Sequence, residues 1–160
     1  MSDASFADGR EAPLRLIARD AEDLQVISAL LQDAVFPVTE MRYDRRRRRF
    51  AILLNRFRWE DRPAAERRGR GYERVRALLV IDDVLAAATD GVDRGDRDTV
   101  LSLLSLGFEP GADGTGRLVL TLAGDGAVAL DVECLEVTVK DVTRPHLAPS
   151  QRAPSHPDTD

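Results

Sequence analysis

The residues best able to do chemistry in this chain are arginines. Arg45, Arg46, Arg47, Arg48 and Arg49 are consecutive. Five guanidiniums at one place create a positive potential that attracts phosphates, carboxylates or nucleic acid. Arg56 and Arg58, then Arg67, Arg68 and Arg70, follow closely enough to extend that potential into a stripe. Tyr43, Phe57 and Trp59 lie among them as candidate faces for base stacking. Residues 42–76 carry 14 arginines against five acids, a local balance of +9, whereas the rest of the chain balances to −14. The rival explanation is structural: one part of the fold neutralises another, leaving a solvated, internally paired face. Arginine outnumbers lysine 22 to 1, the pattern of a GC-rich coding bias, which weakens any claim that each guanidinium was selected for its bidentate geometry.

Other constellations fail on counting. The only histidines, His146 and His156, lie in a proline-rich C-terminal stretch, where nothing holds a side chain to catalytic tolerance. One cysteine, Cys134, gives neither a disulfide framework nor a zinc set. Its neighbours alternate in a way that allows burial, so it is expected to be an inert thiol. The loop carrying Asp90, Asp93, Asp96 and Asp98 misses the EF-hand offsets, because Leu104 stands where the bidentate Glu belongs. It reads as a solvated turn with no metal, and the Arg94-Gly95-Asp96 tripeptide within it as chance. Gly111, Gly114 and Gly116 precede a strand pattern, not the helix a dinucleotide loop requires. Asp131 and Glu133 share a strand face without further support for acid–base work. No catalytic residues, cofactor or metal are therefore expected.

The elements that must position these residues are mostly strands. Leu14, Leu16 and Ile17 suggest a short first strand. Asp20 then caps a helix whose Leu24, Ile27, Leu31 and Ala34 repeat at helical spacing, and Pro37 is expected to end it. Residues 38–43 and 48–59 read as two strands around a turn at 44–47, followed by an arginine-rich loop over 60–71. Val75, Ala77, Leu79 and Ile81 alternate as a strand. Residues 84–88 and 100–108 suit either state, with strand favoured for the second because 118–123 can pair back on it. Gly124-Asp125-Gly126 is the strongest hairpin signal, and residues 135–139 form a half-polar final strand. The expected fold is α+β: a mainly antiparallel sheet, a roll or partly open barrel, packed by one N-terminal helix. The folded domain is placed at residues 13–142. Disordered tails are placed at 1–12 and, with Pro145, Pro149, Pro154 and Pro157, at 143–160.

Several stretches carry a family resemblance: Leu31-Gln32-Asp33-Ala34-Val35, Asn55-Arg56-Phe57-Arg58-Trp59-Glu60, Val100-Leu101-Ser102-Leu103-Leu104 and Asp131-Val132-Glu133-Cys134-Leu135-Glu136. With the leading Leu14-Arg15-Leu16-Ile17-Ala18 they resemble an alphaproteobacterial family catalogued as domain of unknown function 2948. The resemblance spans residues 14–142 and implies a bacterial cytoplasmic protein without implying any chemistry.

With no apolar run of membrane-helix length and no signal-peptide pattern, the chain is expected to be cytoplasmic and free of membrane. The leading functional expectation is a non-enzymatic binding or interaction domain, self-associating through an exposed strand edge or taking a protein partner. The half-polar final strand motivates that edge. A weak nucleic-acid or anion binder is the first alternative, with Arg45, Arg46, Arg47, Arg48, Arg49, Arg67, Arg68 and Arg70 as its contacts. An enzyme using Asp/Glu and Arg without metal is the second. Asn55, the chain's only asparagine, with Arg58 and the only tryptophan, Trp59, marks a further interaction segment.

Overall fold

A computed structural model of the chain describes residues 12–148 and 153–154. Eleven strands form one sheet: β1 (Arg15–Ala18), β2 (Ala34–Pro37), β3 (Met41–Asp44), β4 (Arg49–Phe57), β5 (Glu73–Ile81), β6 (Val84–Asp90), β7 (Val100–Pro110), β8 (Gly116–Leu122), β9 (Ala127–Val132), β10 (Val137–Asp141) and β11 (His146–Leu147). Two helices accompany them, α1 (Ala21–Leu31) and α2 (Arg62–Arg68). The sheet runs β1-β10-β5-β4-β2-β7-β8-β9-β6, with β3 added to β4 and β11 to β5. Every pairing is antiparallel. The expected α+β architecture stands, as an open, strongly antiparallel sheet with one helix packed on it.

The sheet curls because side chains on one face share a core. Phe36 of β2, Phe50, Ile52 and Leu54 of β4, Leu103 and Leu106 of β7, Leu118, Leu120 and Leu122 of β8 and Val128, Leu130 and Val132 of β9 are all buried together. The sets of β4, β8 and β9 keep the period of two that places alternate residues on one face, whereas Leu103 and Leu106 of β7 are three apart. Leu24, Ile27, Ser28 and Leu31 of α1 close this core over β7. A bulge between Leu103 and Ser105 disrupts the β7–β8 ladder. Nearby, the buried Leu106 N–H is taken by Ser28 Oγ at 2.9 Å, which fixes the helix to the strand.

Several local expectations need correction. Helix α1 starts as expected, with Asp20 Oδ1 accepting from Asp23 N–H at 2.8 Å, but it ends at Leu31, not Pro37. Asp33 adopts the left-handed conformation, φ 66°, and its N–H donates to Leu103 O at 2.7 Å, turning the chain into β2. Ala34 and Phe36 then fill the same core with strand periodicity. A 3-10 turn at Val38–Glu40 separates β2 from β3, so 38–43 is not one strand. The loop over 60–71 contains α2, opened by a proline near its start and closed by Gly69 at φ 64°. Residues 84–88 and 100–108 are both strand, within β6 and β7. The Gly124–Asp125 turn forms as expected, both residues at positive φ. The final half-polar strand, β10, lies between β1 and β5 and offers no edge; β1 and β6 end the sheet.

Chain beyond the expected boundary at Val142 still pairs with the sheet. His146 and Leu147 pair with Arg74 and Glu73, Ala148 N–H donates to Tyr72 O at 2.8 Å, and Ala148 is 1% exposed. The free edge of β5 beyond β10 accepts this short strand despite its flanking prolines. The expected tails at 1–11, 149–152 and 155–160, His156 included, lie outside the described residues.

Candidate binding site

The arginine-rich half splits into two unlike groups. The first is buried. Phe50, Ile52 and Leu54 set the inward register of β4, and Arg56 continues it, 0% exposed. Its Nε and Nη2 donate to Asp141 Oδ1 and Oδ2, each at 2.9 Å. Its Nη1 and Nη2 donate to Glu60 Oε1 and Oε2 at 2.9 and 2.7 Å. Asp141 Oδ2 also accepts from Leu14 N–H at 2.9 Å, tying β1 into the same knot. Burial opposes the charge on Arg56, but the hydrogen bonds and charges of Glu60 and Asp141 outweigh it and its pKa moves up. Burial likewise opposes ionisation of Glu60, yet Arg56 holds it below the usual carboxylate range.

Arg58 and Arg70 complete this network. Arg58 is buried and donates to Glu73, while Arg70 forks onto Asp61 at 2.6 and 2.7 Å. Asp61 is lowered chiefly by its hydrogen bond from Arg70. Trp59 Nε1 donates to Gln32 O at 3.0 Å, its ring meets the buried Phe57 edge-on at 4.7 Å, and Arg74 lies 5.9 Å over the Phe57 ring. The stretch Asn55 to Glu60 is therefore an internal clamp joining β4, α2, β5 and the end of β10. Asn55 Oδ1 is buried without a protein partner beside a hollow of about 50 Å³, room for ordered water. Arg56 does not belong to an exposed stripe, and Phe57 is unavailable for stacking.

The second group lies at the surface. Residues 45–48 form the β3–β4 turn, with Arg48 at φ 54°. Arg48 pairs with Glu133 at 2.7 Å, Arg49 with Asp82 at 2.9 Å, and Arg47 sits 3.8 Å from Asp44. Arg67 and Arg68 occupy the exposed last turn of α2. Among the described residues no ion pair involves Arg45, Arg46, Arg67 or Arg68. The structure thus brings Arg45 to Arg49 together, but it spends two of them on acids from elsewhere and one on Asp44 of the same hairpin, and sends Arg70 into the buried network.

Beside this turn the sheet fails to close. Among the described residues strand β3 pairs only with β4 and β6 only with β9, so their unpaired edges face each other across a seam. One end is stitched: Val84 N–H donates to Arg48 O at 2.8 Å, and Tyr43 Oη–H to Val84 O at 3.0 Å. Towards Thr89 the seam opens into a cleft of about 400 Å³ lined by Val38, Thr39, Met41, Tyr43, Phe50, Ala87, Ala88, Thr89 and Val128, with Arg45 and Arg94. Register explains the lining. Ala87 and Thr89 lie opposite the buried Leu130 and Val128, and Met41 and Tyr43 opposite the buried Ile52 and Phe50. These are inward positions, yet Ala87 is exposed because none of the described strands covers it. Sequence reasoning missed this site, and Arg94 was set aside with its tripeptide.

A second cleft, about 510 Å³, is lined among the described residues by Arg58, Glu73, Arg144 and Pro145. Its Arg58 and Glu73 already neutralise each other. Cys134, expected to be buried, is exposed in the β9–β10 turn, because the alternation of β9 stops at Val132. Its Sγ–H points to Asp83 Oδ2 at 3.1 Å, and that hydrogen bond, some burial and the charges of Asp83, Glu136 and Glu133 raise the thiol pKa. Among the described residues no three His, Cys, Asp or Glu side chains gather to hold a metal ion, and no helix is long and apolar enough to cross a membrane.

Fold and site together define an α+β protein with an open antiparallel sheet and an arginine-flanked seam. The chain belongs to the family described as Protein of unknown function (DUF2948), whose profile matches residues 14–156. No curated protein and no solved structure matches it.

Proposed function

We propose that this protein is a non-enzymatic binding domain whose ligand occupies the seam between β3 and β6. The observation that carries this reading is the exposed inward-facing position of Ala87 beside a cleft of about 400 Å³, a volume within the range of small-molecule sites. Small side chains on β6, with Ala86, Ala87 and Ala88 in sequence, leave the space unfilled. A non-enzymatic role is supported by the state of the acids. Among the described residues no carboxylate lines the seam, and Glu60 and Asp61 are held ionised by arginines, the opposite of a poised general acid. Internal pairing of Arg48, Arg49 and Arg70 disfavours nucleic acid as the partner, since a paired guanidinium has little left to exchange for counterions. A bacterial cytoplasm, which the family resemblance implies, suits the exposed free thiol of Cys134.

Titration with the fluorescent apolar anion anilinonaphthalene sulfonate tests the site. Binding to the full chain should saturate and should be abolished by Ala87→Trp, which fills the seam from an exposed position, at unchanged urea midpoint. Equal binding by A87W would remove the seam as the site.

A further inference from the structure

The lining of the seam also specifies a chemical class. We infer that the ligand is an apolar monoanion: one carboxylate on a hydrocarbon or aromatic body, with its head at Arg45 and Arg94 and its body on the inner face of the sheet. This rests on the seam being the binding site and adds what it selects.

Charge supplies the first part of the argument. Among the described residues the only charged side chains lining the cleft are Arg45 and Arg94, and neither has an ion pair there. Two of the neighbouring acids, Asp44 and Asp93, are engaged locally. Asp44 Oδ1 accepts from Arg47 N–H at 3.1 Å, and its other oxygen faces Arg47 Nε at 3.8 Å. Asp93 Oδ1 accepts the N–H groups of Gly95 and Asp96 at 3.0 and 3.3 Å. Arg47, Arg48 and Arg49 have each found a carboxylate, whereas the two guanidiniums that line this cleft have no ion pair among the described residues. A carboxylate is the simplest single anion that matches the planar guanidinium fork bidentately.

The walls supply the second part. Met41, Ala87 and Ala88 offer apolar surface over the buried Val38, Phe50 and Val128, and Thr39, Tyr43 and Thr89 add neutral hydroxyls. Inorganic phosphate would leave that surface wet. A folded protein or nucleic-acid strand is too large for a cleft of about 400 Å³ stitched shut at Val84. A body of medium chain length fills it and removes apolar area from water.

Isothermal titration of the full chain at low salt with decanoate, decanol and inorganic phosphate tests both parts. Decanoate should bind at least about tenfold more tightly than decanol, the order expected of one charge-assisted contact. Phosphate alone should not bind measurably. The exposed double variant R45A/R94A should bring decanoate down to the level of decanol and leave decanol unchanged, while A87W should abolish both. Decanol binding as well as decanoate, with R45A/R94A silent, would overturn the monoanion inference and leave the seam reading intact. Phosphate competing as strongly as decanoate would overturn the apolar body. Neither decanoate nor decanol binding the wild-type chain would overturn the seam reading itself, and this inference with it.

Discussion

Arg56 offers the sharpest test of how the arginines are used. Replacing it with Met keeps much of the apolar stem and removes the guanidinium, which strands Asp141, 4% exposed, with only the Leu14 N–H as partner. Glu60, about a third exposed, regains water, so the cost falls mainly on Asp141. Removing one member of a buried ion pair costs about 3–5 kcal/mol. At this chain length that is a fall in Tm of about 6–20 °C, taking about 2–4 °C per kcal/mol. Arg48→Ala is the control: that pair is 53% and 58% exposed and should cost no more than about 1 kcal/mol. Adding Asp141→Asn to R56M should recover at least about 1 kcal/mol of the loss, because Asn neutralises the stranded charge and still accepts from Leu14. Urea unfolding followed by circular dichroism reads all three variants. If R56M costs no more than R48A, or if D141N deepens the loss, the buried network is not what holds β1, β4 and β10 together.

Three further outcomes follow from the same structure. Glu60 and Asp61 have folded pKa values below their ordinary 4.5 and 3.8, so the stability they contribute is complete above those values and lost as pH falls through the folded ones. Urea midpoints should be flat from pH 7 to 5 and drop below about pH 4; a loss already present between pH 7 and 5 would contradict this. A fragment ending at Val142 loses β11 and the buried Ala148 and should melt several degrees below the full chain, at about 2–4 °C per kcal/mol, whereas one ending at Ala148 should match it. Cys134, exposed but with its pKa raised, should alkylate more slowly at pH 8 than a free thiol, and Asp83→Asn should accelerate it; no change on D83N would show that Asp83 does not control the thiol.

Much of the fold was legible because its signals are local. The Asp20 cap, the alternation of residues 75–81 and the Gly124-Asp125-Gly126 turn each depend on neighbours in sequence. The end of α1 was not legible, because Ala34 sits at a position that continues the helical stripe as well as it serves a strand. Only tertiary placement, with Asp33 turning left-handed against Leu103, separates the two. The short helix α2 carried visible signals, Pro63 near its start and Gly69 after its end, hidden by the arginines between. Arg56 was also readable in principle: it occupies the inward register of Phe50, Ile52 and Leu54, where a charge demands a buried partner. That partner, Asp141, is 85 residues away and follows from no local pattern. The seam was least legible, since it arises from two strands that do not pair, and no residue type announces a missing hydrogen-bond ladder.

Nitrogen–proton correlation spectra of the labelled full chain, titrated with decanoate, test the central claim most directly. Binding in the seam predicts saturable shifts concentrated at Met41, Tyr43, Arg45, Ala87, Thr89 and Val128, with the amides around Arg58, Glu73 and Arg144 unmoved. Shifts centred on that second cleft or on the exposed turn of α2, or none at all, would contradict it.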